Sequence, residues 1–99
     1  MYAIFLKHRA RPGHRGDLEA VWQRHMRTAI ESNPGHVAYT YSFGSEADVV
    51  AAFQIYRSKD DADAFLRSPA YVAYLQESRP LLLHDPEVTA LEPRWIKGG

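Results

Sequence analysis

Apolar positions along the chain change spacing at a few points, and each change marks an element. Tyr2–Arg9 (YAIFLKHR) is rich in apolar and aromatic side chains and stops before Arg11-Pro12-Gly13, which predicts a first strand. Over residues 14–31 the period lengthens: Leu18, Val21, Trp22, His25, Met26 and Ala29 recur at three- and four-residue steps, so a helix is expected, ended by Asn33-Pro34-Gly35. Residues 37–43 and 49–57 are apolar and aromatic runs separated by Gly44-Ser45-Glu46-Ala47-Asp48, the pattern of a β-hairpin. Asp60 or Asp61 is positioned to cap a short helix that carries Ala62, Phe65 and Leu66 on one face. Ser68-Pro69 then opens another helix, with Tyr71, Tyr74, Leu75 and Ser78 along one side and Pro80 as its end or kink. Residues 87–92 (EVTALE) alternate polar and apolar, as a half-buried strand does.

The predicted order, β-α-β-β-α-α-β, is the ferredoxin-like split βαβ arrangement: an α+β fold with a four-stranded antiparallel sheet and its second helix broken in two. Both faces of the central strands are apolar. Tyr2, Ile4 and Leu6 oppose Ala3 and Phe5, and Val49, Ala51, Phe53 and Ile55 oppose Val50, Ala52 and Tyr56. Helices cover one face of such a sheet, so the other calls for a second apolar surface, and another copy of the chain supplies one. A homodimer joined through its sheet faces is expected.

Composition narrows the classes. A chain of 99 residues is read as one domain, residues 1–99. Its 12 basic and 12 acidic side chains cancel, which gives no global field toward nucleic acid or an anionic membrane. Without cysteine there is no disulfide or thiolate chemistry. The opening MYAIFLKHR is too quickly charged for a signal peptide, so the expected location is cytoplasmic.

Two stretches carry a family resemblance: RPGHRGDLEAVW (residues 11–22) and FQIYRSKDDADAFLRSPAYVAY (residues 53–74). Within the second, Gln54-Ile55-Tyr56 ends a strand, Ser58 and a short helix come next, and Ser68-Pro69 opens another helix. The chain resembles the antibiotic biosynthesis monooxygenase domain family of dimeric α+β barrels over nearly its whole length. That resemblance implies small homodimers with a pocket between sheet and helices in each subunit. It also implies oxidation of quinols, anthrones or related phenolic compounds by molecular oxygen, with no flavin, haem or metal cofactor. Other barrel relatives degrade haem, isomerise lactones or cyclise polyketides. The haem-degrading pattern is missing, because Phe65 stands where those relatives place a histidine and the first strand has no Asn. Gln54 and Tyr56 also stand where quinol-oxidising members usually carry Glu and Trp, and Ala52 where anthrone-oxidising members can carry Asn.

Cofactor-free oxidation of a phenolic ring needs a base, donors that hold the resulting anion, and a dry pocket in which the anion can pass an electron to oxygen. His25 falls near the middle of the helix's apolar stripe, so it is expected to point at the sheet, either as the base or as a buried neutral histidine bonded to a carbonyl or a tyrosine. Tyr56, by its match to the family's aromatic position, is the second catalytic candidate. Tyr39 and Tyr41 share a strand face with Phe43 and Val37; with Trp22, Tyr71 and Tyr74 they either line a pocket for a small aromatic substrate or form ordinary core. Lys7, Arg9, Arg11 and Arg15 either hold a carboxylate or phosphate or simply solvate a strand end, and His36 starts a strand near solvent or sits at a pocket mouth. No metal-ligand spacing, phosphate loop or nucleophile elbow is present. The leading expectation is a cofactor-independent monooxygenase. An isomerase or polyketide cyclase using the same pocket, and a non-catalytic small-molecule-binding dimer, are the alternatives.

Overall fold

A computed structural model describes residues 1–98. Four strands, β1 (Tyr2–Arg9), β2 (His36–Phe43), β3 (Val49–Tyr56) and β4 (Glu87–Leu91), form one antiparallel sheet in the order β2-β3-β1-β4. This is the ferredoxin-like α+β architecture read from the sequence. β3 is central, with Gln54 lying opposite both Ile4 and Tyr39, and Tyr56 opposite both Tyr2 and His36. Among the described residues no helix is long and apolar enough to cross a membrane.

The helices lie on the face to which Ile4, Leu6, Ala52 and Tyr56 point, and they bury Val21, Met26, Ala62, Phe65 and Tyr74 against it. A smaller cluster of Ala10, Leu18, Val50 and Leu82 closes one end of the same layer. The first helical segment is not uniform. It runs as α1 (Arg15–Trp22), a π-helical turn (Gln23–Arg27) and α2 (Thr28–Glu31). A π turn inserts a residue and shifts the phase of the helix beyond it, so the straight 100° wheel fails within the turn. Met26 is buried, whereas His25 turns to Glu77 on α4 (Pro69–Ser78) instead of to the sheet as expected.

Two further expectations are corrected. The cap of α3 (Lys59–Leu66) is Ser58, whose Oγ accepts from the Asp61 amide at 3.1 Å; Asp60 and Asp61 lie in the first turn, where their charge opposes the helix dipole. Val37 does not share a face with Tyr39 and Tyr41, because β2 carries a bulge between His36 and Ala38. Val37 is extruded and half exposed, and His36 takes the helix-facing position. Ser68 caps α4 as predicted, with Pro69 at its first position. Pro80 lies in a 3₁₀ turn, Arg79–Leu81, just beyond.

Much of the basic stretch is structural. Arg15 stacks 4.3 Å over Phe43 and donates to the carbonyls of Gly44, Glu46 and Val49, clamping the β2–β3 hairpin to the start of α1. Gly44 is required in that hairpin, since a Cβ there would lie 2.7 Å from Val49 Cγ1. Arg9 pairs with Glu46, and Arg11 donates to the Pro80 carbonyl. Replacing the α3 cap, Ser58→Ala, is expected to lower stability by about 1 kcal/mol, read as a shift in the urea midpoint at constant slope.

Candidate functional site

The helix-facing surface of the sheet carries a continuous aromatic interior. β2 contributes Tyr39 and Tyr41, and Trp22 from α1 stacks on both, with ring centroids 5.8 and 4.3 Å away. Trp22 Nε1 donates to the Tyr39 hydroxyl at 3.1 Å, which leaves the hydroxyl's own proton free to be donated elsewhere. From α4, Tyr71 and Tyr74 lie 6.3 Å apart, and Tyr71 is 6.3 Å from Phe65 on α3. Trp22, Tyr39, Tyr41, Tyr71 and Tyr74, read from the sequence as substrate contacts or core, are thus brought into one layer. Burial raises the Tyr39 pKa to about 12 and pushes those of Tyr41, Tyr71 and Tyr74 upward too. These phenols stay protonated at neutral pH, the form able to donate to an oxyanion.

One end of this layer is a polar network around Gln54, which is almost wholly buried. Its Oε1 accepts from the Tyr56 hydroxyl at 2.5 Å and from His36 Nε2 at 3.1 Å. The Gly35 amide donates to Asn33 Oδ1, which turns the Asn33 Nδ2 group toward His36 Nδ1, 2.9 Å away. Nδ1 therefore accepts and Nε2 carries the proton, so His36 is held as one neutral tautomer. Burial lowers its pKa in the same sense, partly offset by the Gln54 bond. The imidazole lies 4.3 Å from the Tyr56 ring and edge-on to Phe65 at 4.6 Å. Outside it, a cleft of about 360 Å³ opens between α2, α3 and the start of α4, lined by Ala29, Asn33, Ala64, Phe65 and Pro69.

The two residues expected to be catalytic are placed differently from one another. Tyr56 is fully buried, and its hydroxyl proton is committed to Gln54, so in this geometry it positions the Gln54–His36 pair. His25 sits on the seam between the π turn and α4, where Glu77 binds both it and Arg24; the hydrogen bond with His25, helped by the Arg24 guanidinium, holds the Glu77 carboxyl below its usual range. It is apart from the aromatic interior. His36, whose position sequence reasoning left open, is the histidine that joins the site. Strand alternation points it the wrong way, and only the bulge at Val37 reverses this.

Comparison with known proteins agrees with this architecture. A family model for antibiotic biosynthesis monooxygenases matches residues 1–77. The chain belongs to the antibiotic biosynthesis monooxygenase family. Among solved structures it resembles Rv0793 of Mycobacterium tuberculosis, at 25% identity and a TM-score of 0.87, with 98% of each chain covered. A protein of Nitrosomonas europaea provisionally named an antibiotic biosynthesis monooxygenase shares the fold at 10% identity and a TM-score of 0.88, covering 96% of this chain and 100% of that one. A conserved protein of Methanosarcina mazei Go1 does so at 10% identity and a TM-score of 0.85, covering 94% of this chain and 92% of that one. No curated protein matches significantly. Among the described residues of this family member, no group of three His, Cys, Asp or Glu side chains is placed to hold a metal ion.

The buried histidines link folding to pH. His36 titrates below its ordinary value, and His8 on β1 is pushed down to about 4, each by burial. The unfolded chain binds these protons below about pH 6.5 and the folded chain resists them, so acid favours unfolding. For His8 alone, stability present at pH 7 should fall by roughly 3 kcal/mol by pH 4. Urea midpoints measured at pH 7, 5.5 and 4.5 should decline, and His8→Gln should flatten the decline.

Proposed function

We propose that this protein oxidises a phenolic or polycyclic aromatic small molecule, of the quinol or anthrone kind, with molecular oxygen and without an organic or metal cofactor. The family places it among monooxygenase-like proteins. The observation that carries the finer reading is the Tyr39 hydroxyl: held as an acceptor by Trp22, it keeps its proton for a ligand oxygen, beside a stacked Trp22–Tyr41 wall suited to a flat ring. Neutral tyrosines in a dry layer stabilise a phenolate or enolate oxygen more than the neutral ring, which favours ionisation of the substrate. The anion then passes an electron to oxygen. For an anthrone the balance is complete within the pair: one oxygen atom becomes the new carbonyl, and the other leaves as water with the two hydrogens of the ring methylene.

The second face of the sheet supports a homodimer as the working unit. Phe53 and Ile55 on that face, with Leu91, Pro93, Trp95 and Ile96, border an apolar hollow of about 410 Å³, and Trp95 is 80% exposed. Packing this face on its copy would cover it. Sedimentation equilibrium should give twice the chain mass, and Phe53→Glu should return the monomer; a monomeric parent protein refutes the dimer.

The activity is tested by oxygen uptake with metal-stripped protein and anthrone or quinol substrates. Uptake above autoxidation is expected, with kcat reduced about 100-fold in Tyr39→Phe, the loss typical of one oxyanion donor. Trp22→Ala should raise KM more than it lowers kcat. Turnover that consumes no oxygen would move the protein to proton-transfer chemistry such as isomerisation or cyclisation. Equal uptake by parent and Tyr39→Phe would remove Tyr39 from the reaction.

A further inference from the structure

Where the chain leaves β1 for α1 it pairs with the segment that follows α4. Ala10 bridges to Leu82, the Arg11 amide donates to the Leu81 carbonyl at 2.8 Å, and the Leu83 amide donates to the Arg9 carbonyl at 2.9 Å. This pairing frames a recess of about 260 Å³. Leu75, Leu82 and Pro86 give it an apolar wall, and Arg11, Arg79, His84 and Asp85 complete the lining. Two guanidinium groups and one carboxylate thus share a single recess, in a chain whose formal charge is zero.

Neither guanidinium is used up by the fold. Arg9, Arg24, Arg27 and Arg57 each pair with a carboxylate, and Arg15 is spent on the β2–β3 hairpin. Among the described residues Arg11 and Arg79 pair with no carboxylate, although Asp85 lines the same recess. An arginine just past a helix often serves the last carbonyls, but here other groups serve them. The Leu75 carbonyl accepts from the Arg79 amide and the Ser78 hydroxyl, and the Arg79 carbonyl accepts from the Leu82 amide. The Pro80 carbonyl accepts from Arg11 Nε at 3.0 Å, and the Leu81 carbonyl from the Arg11 amide. Arg11 is therefore anchored through Nε with its two Nη groups left to donate, and Arg79 keeps its whole fork. Paired forks beside an apolar wall suit a carboxylate carried on a short apolar body.

We infer that this recess binds a small organic carboxylate, its oxygens taken by the Arg11 and Arg79 guanidinium groups and its apolar body laid against Leu75, Leu82 and Pro86. Ligand pockets commonly span about 300–1,000 Å³, so a recess just below that range takes a single ring or a short chain and no polymer. The neutral amide of the same acid is rejected, because its N–H groups meet donors instead of acceptors. A bare phosphate satisfies the guanidinium groups and leaves the apolar wall unused. The site involves neither Trp22 nor Tyr39, and it stands whether or not the protein oxidises a phenol.

The test titrates benzoate, benzamide and inorganic phosphate into the ¹⁵N-labelled full chain at low ionic strength, where screening is weak, and follows the backbone amides and the Trp22 indole N–H by NMR. Benzoate should shift the Arg79 and Leu82 amides and bind at least about tenfold more tightly than benzamide or phosphate. Arg79→Gln should weaken benzoate by about tenfold, the size of one charge-assisted hydrogen bond. Benzoate that shifts the Trp22 indole N–H and leaves Arg79 and Leu82 unmoved overturns the site, placing the acid in the aromatic layer. Equal binding of benzoate and benzamide, or of benzoate by the parent and Arg79→Gln, removes the guanidinium groups from recognition and overturns it too. Phosphate held as tightly as benzoate overturns the organic acid as ligand. No saturable shift at millimolar benzoate overturns the site outright. The three titrations of the parent protein decide the outcome even if Arg79→Gln does not fold.

Discussion

Everything in this fold is referred to β3, which with β1 forms the interior of the sheet and is paired on both sides. Its backbone bonds β1 along one edge and β2 along the other, so the register of three strands is set by a single eight-residue segment. Alternation along it sends Val50, Ala52, Gln54 and Tyr56 to the helices and Val49, Ala51, Phe53 and Ile55 to the open face. A slip of one residue would exchange these two sets and turn Gln54 out of the interior. Apolar burial on both faces makes such a slip unfavourable.

Gln54 is the exception in that strand, and its burial organises one end of the site. A primary amide enclosed among apolar side chains needs partners close at hand. Tyr56 supplies one from two residues along the same strand. The other comes from His36, which reaches the helix-facing side only because β2 gives up a residue to a bulge. Asn33, itself fixed by the Gly35 amide, then sets the tautomer. The breaker Asn33-Pro34-Gly35 therefore does more than stop a helix: its side chain and backbone orient the imidazole.

A different balance operates on the helical side. The π turn moves His25 to the Glu77 seam and Met26 into the core, exchanging a titratable ring for a thioether next to the aromatic layer. The remaining polar groups of that layer are mostly tyrosine hydroxyls held neutral by burial. A site of this kind binds and polarises oxygen atoms of a ring compound.

Element type and order were legible in the sequence because they depend on local periodicity. The step from period two to 3.6, the Ser68-Pro69 cap and the hairpin around Gly44 each express a preference of neighbouring residues, and the split βαβ order results from them. The aromatic residues could be named as a group for the same reason: Tyr39 and Tyr41 alternate, and Tyr71 and Tyr74 are three apart on a helix. Orientation at two histidines was not legible. The π turn at residues 23–27 and the bulge at Val37 each insert one residue into a regular pattern, and whether that insertion is favourable depends on what it packs against across the layer. His36 joins Gln54, and His25 leaves for Glu77, through contacts 18 and 52 residues away. The pairing of partners so distant in the chain is decided only when sheet and helices close on each other, since the hydrogen bonds that repay each irregularity exist only in the packed layer.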